Sequence, residues 1–189
     1  MYKKDLREFN PEDIARIETS LWRAYYNHHF LKLFRVLLRM MRVQFGLGFF
    51  NSIRAAYFGA AANIYFRLHK AKQNEREDIV ARKMKHFWHI VSNHATIPFD
   101  YEAAGRAEAL WWFIDRYPER YTMTREEGMR NTMAFIYHVK PDKLAEYANA
   151  RAEAAVLLDG LKNVGKEGDW NEVENLLKKS YAALRLAVQ

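Results

Sequence analysis

The sequence contains no cysteine, which excludes disulfides, thiolate-held zinc, iron-sulfur centres and a thiol nucleophile. Proline is scarce, with four among 189 residues, and the eight glycines fall mostly at joints between periodic segments. Long unbroken helices are therefore open to the chain. No stretch alternates apolar and polar residues with period two, so no sheet is expected. Long hydrophobic runs are missing as well. The most apolar stretch, Phe30 to Phe50, is interrupted by Lys32, Arg35, Arg39 and Arg42 and does not read as a transmembrane span. The first ten residues lack the apolar core of a secretory signal, which makes the cytoplasm the expected location. The sequence has no Glu-x-x-His pair, HExxH, P-loop, GxGxxG or GxSxG. No di-iron, zinc, phosphate-loop or serine-hydrolase reading is supported, and no cofactor or metal is expected.

What is present is ordinary globular composition. Half of the residues are hydrophobic and 28% are charged, in a chain long enough to bury roughly 70% of its unfolded surface. Charged and aperiodic, residues 1–9 read as a flexible end, and 10–189 as one all-helical domain. Asn10-Pro11-Glu12-Asp13 supplies a cap, a proline at the first helical position and two carboxylates for the dipole, which predicts a helix over about 11–27. Further helices are predicted over about 30–45, 50–70, 76–94, 101–117, 125–138, 141–162 and 170–187. Gly46 ends the second, the polar run Lys70 to Asn74 precedes the fourth, and Asp100 caps the fifth. Thr124 and Glu127 form a capping box for the sixth, and Asp169 caps the last after a loop at Gly165 to Gly168. In the third helix the predicted buried stripe is Ile53, Ala56, Tyr57, Ala60, Ala61, Ile64 and Leu68. The expected class is all-α: seven to eight antiparallel helices in a single bundle or a short stack of helical hairpins.

Three residues break the apolar stripes of their helices. Glu18 lies among Ile14, Ile17, Leu21 and Tyr25; Gln44 lies in line with Leu33, Leu37, Met40 and Met41; Arg151 lies among Leu144, Tyr147, Ala148, Ala155 and Leu158. A buried charge without a partner is too costly to keep, so Glu18 and Arg151 are expected to meet, with Gln44 satisfying what remains. Such a cluster is either a structural ion pair or, with Tyr25, a pocket in which Arg151 binds a carboxylate or phosphate and Glu18 acts as acid or base. Glu108, four residues before Trp112 on the flank of the fifth helix, is a carboxyl placed against an indole, where it either has the raised pKa of a general acid or, as is more common, snorkels to water. His86 and His89 share a helix face, but two histidines without a nearby carboxylate make a weak metal site, and the adjacent His28 and His29 diverge.

Charge is unevenly spread: residues 1–98 carry 17 Lys/Arg against 8 Asp/Glu, and residues 99–189 carry 13 against 15. Lys32, Arg35, Arg39 and Arg42 occupy one arc of the second helix, opposite its apolar face. Such an arc is more often the solvated face of a core helix; if a partner docks there, an acidic protein surface is favoured over nucleic acid or an anionic membrane, and a homo-oligomer stays open. The leading expectation is a non-enzymatic helical interaction or scaffold module; the alternative is a helical-bundle enzyme or small-ligand binder built on the interior cluster. The strings Glu18-Thr-Ser-Leu-Trp22-Arg-Ala-Tyr-Tyr26, Gln44-Phe-Gly-Leu47, Trp111-Trp112 and Arg151-Ala-Glu-Ala154 are similar to those of a group of uncharacterised bacterial helical proteins. The resemblance implies a bacterial cytosolic helical domain and carries no activity.

Overall fold

A computed structural model describes residues 3–68, 73–161 and 167–189. Among the described residues there are eight helices: α1 (Pro11–Tyr26), α2 (Phe30–Val43), α3 (Phe49–Leu68), α4 (Gln73–His94), α5 (Tyr101–Arg116), α6 (Arg125–Tyr137), α7 (Ala145–Leu161) and α8 (Glu167–Val188). Short 3-10 turns at Pro118–Arg120 and Pro141–Leu144 lead into α6 and α7. No strand occurs among the described residues.

Local chemistry sets the boundaries. The Asn10 side chain accepts from the backbone N–H groups of Glu12 and Asp13 at 3.0 and 3.3 Å, and Asp100 does the same for Glu102 and Ala103. Thr124 and Glu127 close a reciprocal capping box. These contacts meet donors that a helix start leaves without partners. At the end of α2 the Leu47 N–H reaches back to the Met41 carbonyl at 3.1 Å and Gly46 takes φ +63°, a left-handed position that glycine suits. A side chain on Gly46 would also strike the Lys4 methylenes, 2.7 Å from the Cβ position.

Each helix packs on the next, and α8 packs back on α1. The array therefore closes into a ring, and a single bundle describes it better than a stack of hairpins. The apolar stripes of α1 and α2 turn inward as predicted, burying Ile14, Ile17, Leu33, Leu37 and Met41.

Three expectations are corrected. Residues 3–9 are not a loose end: Lys4 exchanges backbone hydrogen bonds with His94 and Thr96, both at 2.9 Å, and Leu6 and Phe9 are buried. Only Met1 and Tyr2 of that segment lie outside the described residues. α8 begins at Glu167, so Glu167 and Gly168 are helical and Asp169 lies inside the first turn instead of capping it; an acidic residue is favoured at that end of a helix. Gly165 and Lys166, like 69–72 of the earlier polar run, lie outside the described residues. In α3 the buried face is Ser52, Ala55, Ala56, Gly59, Ala60, Ala62 and Phe66, with Tyr57 turned to solvent. This helix is apolar nearly all round, so its periodicity could not select a face.

Candidate functional site

The axis of the ring is occupied by a buried ion pair. α1 and α7 present Glu18 and Arg151 to each other: Arg151 Nη1 donates to Glu18 Oε2 at 2.7 Å and Nη2 donates to Oε1. The Tyr181 hydroxyl, from α8, donates to Oε2 as well. The guanidinium also lies over the rings of Trp22 and Trp111 at 5.4 and 5.7 Å. Burial alone would disfavour the Arg151 charge, but the Glu18 carboxylate overrides it and holds the pKa well above the ordinary value. Burial, reinforced by the Glu18 charge, pushes the Tyr181 hydroxyl well up.

Arg151 donates through both Nη1 and Nη2 to Glu18, so anything entering from the chambers meets a guanidinium that already has a counter-ion. Gln44 is buried but does not complete the pair; its side chain hydrogen-bonds Tyr137. Tyr25 stands apart too, accepting from Arg116 Nη2 at 3.0 Å while Arg67 lies over its ring.

Two adjoining chambers flank the pair. The outer one, about 240 Å³, is walled by Trp22, Tyr25, Tyr26, Phe66, Trp111 and Trp112, with Glu18, Glu108, Asp115, Arg116, Arg151 and Asp159 as its charged residues. Side-chain exposure falls from 40% at Asp159 and 22% at Asp115 to 5% at Glu18, which places the mouth at Asp159. The inner chamber, about 100 Å³, takes lining residues from all eight helices, among them Leu37, Met40, Met84, Phe87 and Met129. Trp88 lines it with a buried indole N–H that has no hydrogen-bond partner among the described residues.

Glu108 stands between the chambers and lines both. Trp112 Nε1 donates to its Oε1 at 3.0 Å, and Trp111 also hydrogen-bonds the carboxyl. Burial raises its pKa; the charge of Arg151 and the two indoles oppose the rise without cancelling it, and Glu18 adds to it. Among the described residues Glu108 forms no ion pair. By contrast Asp115 and Asp159 are tied to Arg125, at 3.0 and 3.9 Å, and Arg116 packs on Phe66, 3.9 Å from the ring centre.

The histidines singled out from the sequence make local contacts. His86 stacks on Phe58, His89 meets the edge of Tyr101, and His28 contacts Arg67. Among the described residues no group of three histidines or carboxylates could hold a metal ion. Lys32, Arg35, Arg39 and Arg42 are all exposed on α2, and no helix among the described residues is long and apolar enough to cross a membrane. Sequence reasoning missed Tyr181, Trp88 and the Asp115–Arg125–Asp159 group. Tyr181 shares an apolar stripe with Leu177, Leu184 and Val188, where a tyrosine looks like core.

Fold and site together define a closed all-helical ring with an interior aromatic chamber. No family model, curated protein or solved structure matches the chain.

Proposed function

We propose that the protein is a small-ligand-binding helical bundle whose site is the pair of chambers around Glu108. The observation that carries this reading is the outer chamber itself: six aromatic walls and convergent polar groups surround about 240 Å³ between α1, α3, α5 and α7. Binding sites for small molecules are concave and largely apolar, with a few placed polar groups that fix orientation. A structural ion pair needs no such space beside it, because protein interiors otherwise close to the density of organic crystals.

Filling the chamber tests the reading. Ala155, which is buried and lines the outer chamber, is replaced by phenylalanine. A library of small organic compounds is then titrated against both proteins by tryptophan fluorescence. Compounds that saturate the wild type are expected to lose at least tenfold in affinity for Ala155→Phe, with its circular dichroism unchanged. Hits that bind both proteins alike, or a library without hits, would discard the site.

A second reading rests on a different observation. From Thr19 to Asn74 the sequence has no Asp or Glu and nine Lys/Arg, and Phe49 and Phe50 are 65% and 78% exposed beside this basic surface. An acidic protein partner docking there is compatible with a ligand site within the ring.

A further inference from the structure

We propose that the basic sector receives a second copy of this chain, whose groove between α6, α7 and α8 seats the exposed corner between α2 and α3. The inference rests on the second reading above and names the acidic partner. It begins with two faces that the fold leaves unmatched.

The first is a corner that carries apolar rings among cations. Val43 ends α2, Phe49 and Phe50 open α3, and all three are exposed. The two phenyl rings meet edge to face, 5.5 Å between centres, so they stand out as one knob. Arg39 and Arg42 precede it on α2, and Arg54 follows Phe50 by one turn of α3; all are exposed. Among the described residues none of these arginines forms a salt bridge. Single exposed apolar residues are ordinary, but neighbouring ones rimmed by charge mark a contact surface.

The second face is a groove of about 570 Å³, lined by Glu126 of α6, Glu153, Val156 and Leu157 of α7, and Glu172 and Leu176 of α8. Val156 is exposed there. Three glutamates thus share the groove with three apolar side chains, and among the described residues none of the three forms a salt bridge. Exposed charges elsewhere are met within the chain: Arg16 by Asp13 at 2.8 Å, Arg106 by Glu102 at 3.3 Å and Lys178 by Glu174 at 2.8 Å.

The two faces are complementary in chemistry and do not meet within one chain. Around the ring α1 separates them on one side, and α4 and α5 on the other. A second copy brings them together. Its groove takes the phenyl rings beside Val156, Leu157 and Leu176, and its glutamates face the arginines. Buried aromatic anchors carry much of the affinity of such contacts, while surface charges add little each and fix the pairing. Because corner and groove are different surfaces, every pairing leaves one of each free, and the association runs head to tail.

Sedimentation velocity over a concentration series tests this. The average mass of the wild type should rise with concentration past that of a dimer. The association should weaken at least threefold between about 0.1 M and about 1 M salt, across which the Debye length falls from about 10 Å to about 3 Å. Phe49→Ser with Phe50→Ser damages the corner, and Glu153→Lys with Glu172→Lys damages the groove. All four residues are exposed, so circular dichroism should not change. Each pair of substitutions should weaken self-association at least tenfold.

Mixed in equal amounts, the two variants should recover the wild-type affinity but stop at a dimer. The intact corner of one fits the intact groove of the other, while the opposite pairing sets a damaged corner against a reversed groove. Association that neither variant weakens, or a mixture no heavier than its parts, would overturn the proposal. If only the corner substitutions act, the groove is wrong and the basic sector keeps its acidic partner. A wild type that stays monomeric throughout removes the second copy, and the second reading then depends on its binding of poly-L-glutamate alone.

Discussion

A guanidinium taken out of water needs its N–H groups met, and Arg151 meets that need with both oxygens of Glu18 and with the faces of Trp22 and Trp111. Removing one partner of such a pair strands the other, which costs about 3–5 kcal/mol, whereas replacing both by apolar groups can be neutral. Glu18→Gln should therefore lower stability in urea by about that amount, and the double variant with Arg151→Met should recover most of it. Additive losses in the double variant would show that the two residues act independently. The pair was legible because each member interrupts an apolar stripe, and burial without a partner is forbidding enough to predict their meeting. Its third member was not legible. Tyr181 joins through a hydroxyl at the tip of a ring that otherwise belongs to the core, and periodicity reads the ring alone. The same limit misassigned Gln44, whose inward direction was evident but whose partner, Tyr137, lies on another helix.

At the scale of the helix, two glycines have opposite meanings that a sequence does not separate. A Cβ on Gly105 would stand 2.6 Å from the Lys85 backbone nitrogen, so α4 and α5 approach there more closely than any other residue permits. On Gly59 it would meet only the Phe87 and Leu37 side chains, the nearest atom at 3.5 Å. Alanine restrains the unfolded chain and suits a helix better than glycine by about 0.8–1 kcal/mol. Gly59→Ala should accordingly stabilise the protein by up to about that amount. Gly105→Ala should destabilise it by about 1–3 kcal/mol, because the helices must separate. Chemical denaturation of the two variants checks both signs, and a stabilising Gly105→Ala would refute the close crossing. Capping residues and amphipathic stripes made most helix positions readable, since these signals are local. The tie between Lys4 and the end of α4 was hidden: it uses backbone groups, which every residue carries, and it joins positions far apart in the chain.

Over the whole molecule, ring closure turns a segregated sequence into a segregated surface. The stretch without acids spans the end of α1, all of α2 and all of α3, and these helices are consecutive neighbours in the ring. Their exposed Lys32, Arg35, Arg39 and Arg42 therefore share one sector and are not diluted around the circumference. If this sector engages acidic partners by its local field, position will matter more than net charge. Poly-L-glutamate at low ionic strength is a suitable probe, since exposed charges interact over a Debye length of about 10 Å at 0.1 M salt. Reversing Arg35, Arg39 and Arg42 to glutamate should weaken its binding at least tenfold and flatten its salt dependence. Reversing Lys140, Lys143 and Lys179, exposed charges outside this sector, changes the net charge equally and should have a much smaller effect. Neither set lines either chamber, so small compounds that bind within the ring should do so equally in both variants. Equal weakening by the two reversals would mean that poly-L-glutamate senses only the overall positive charge, and the basic sector would then have no claim to a partner of its own.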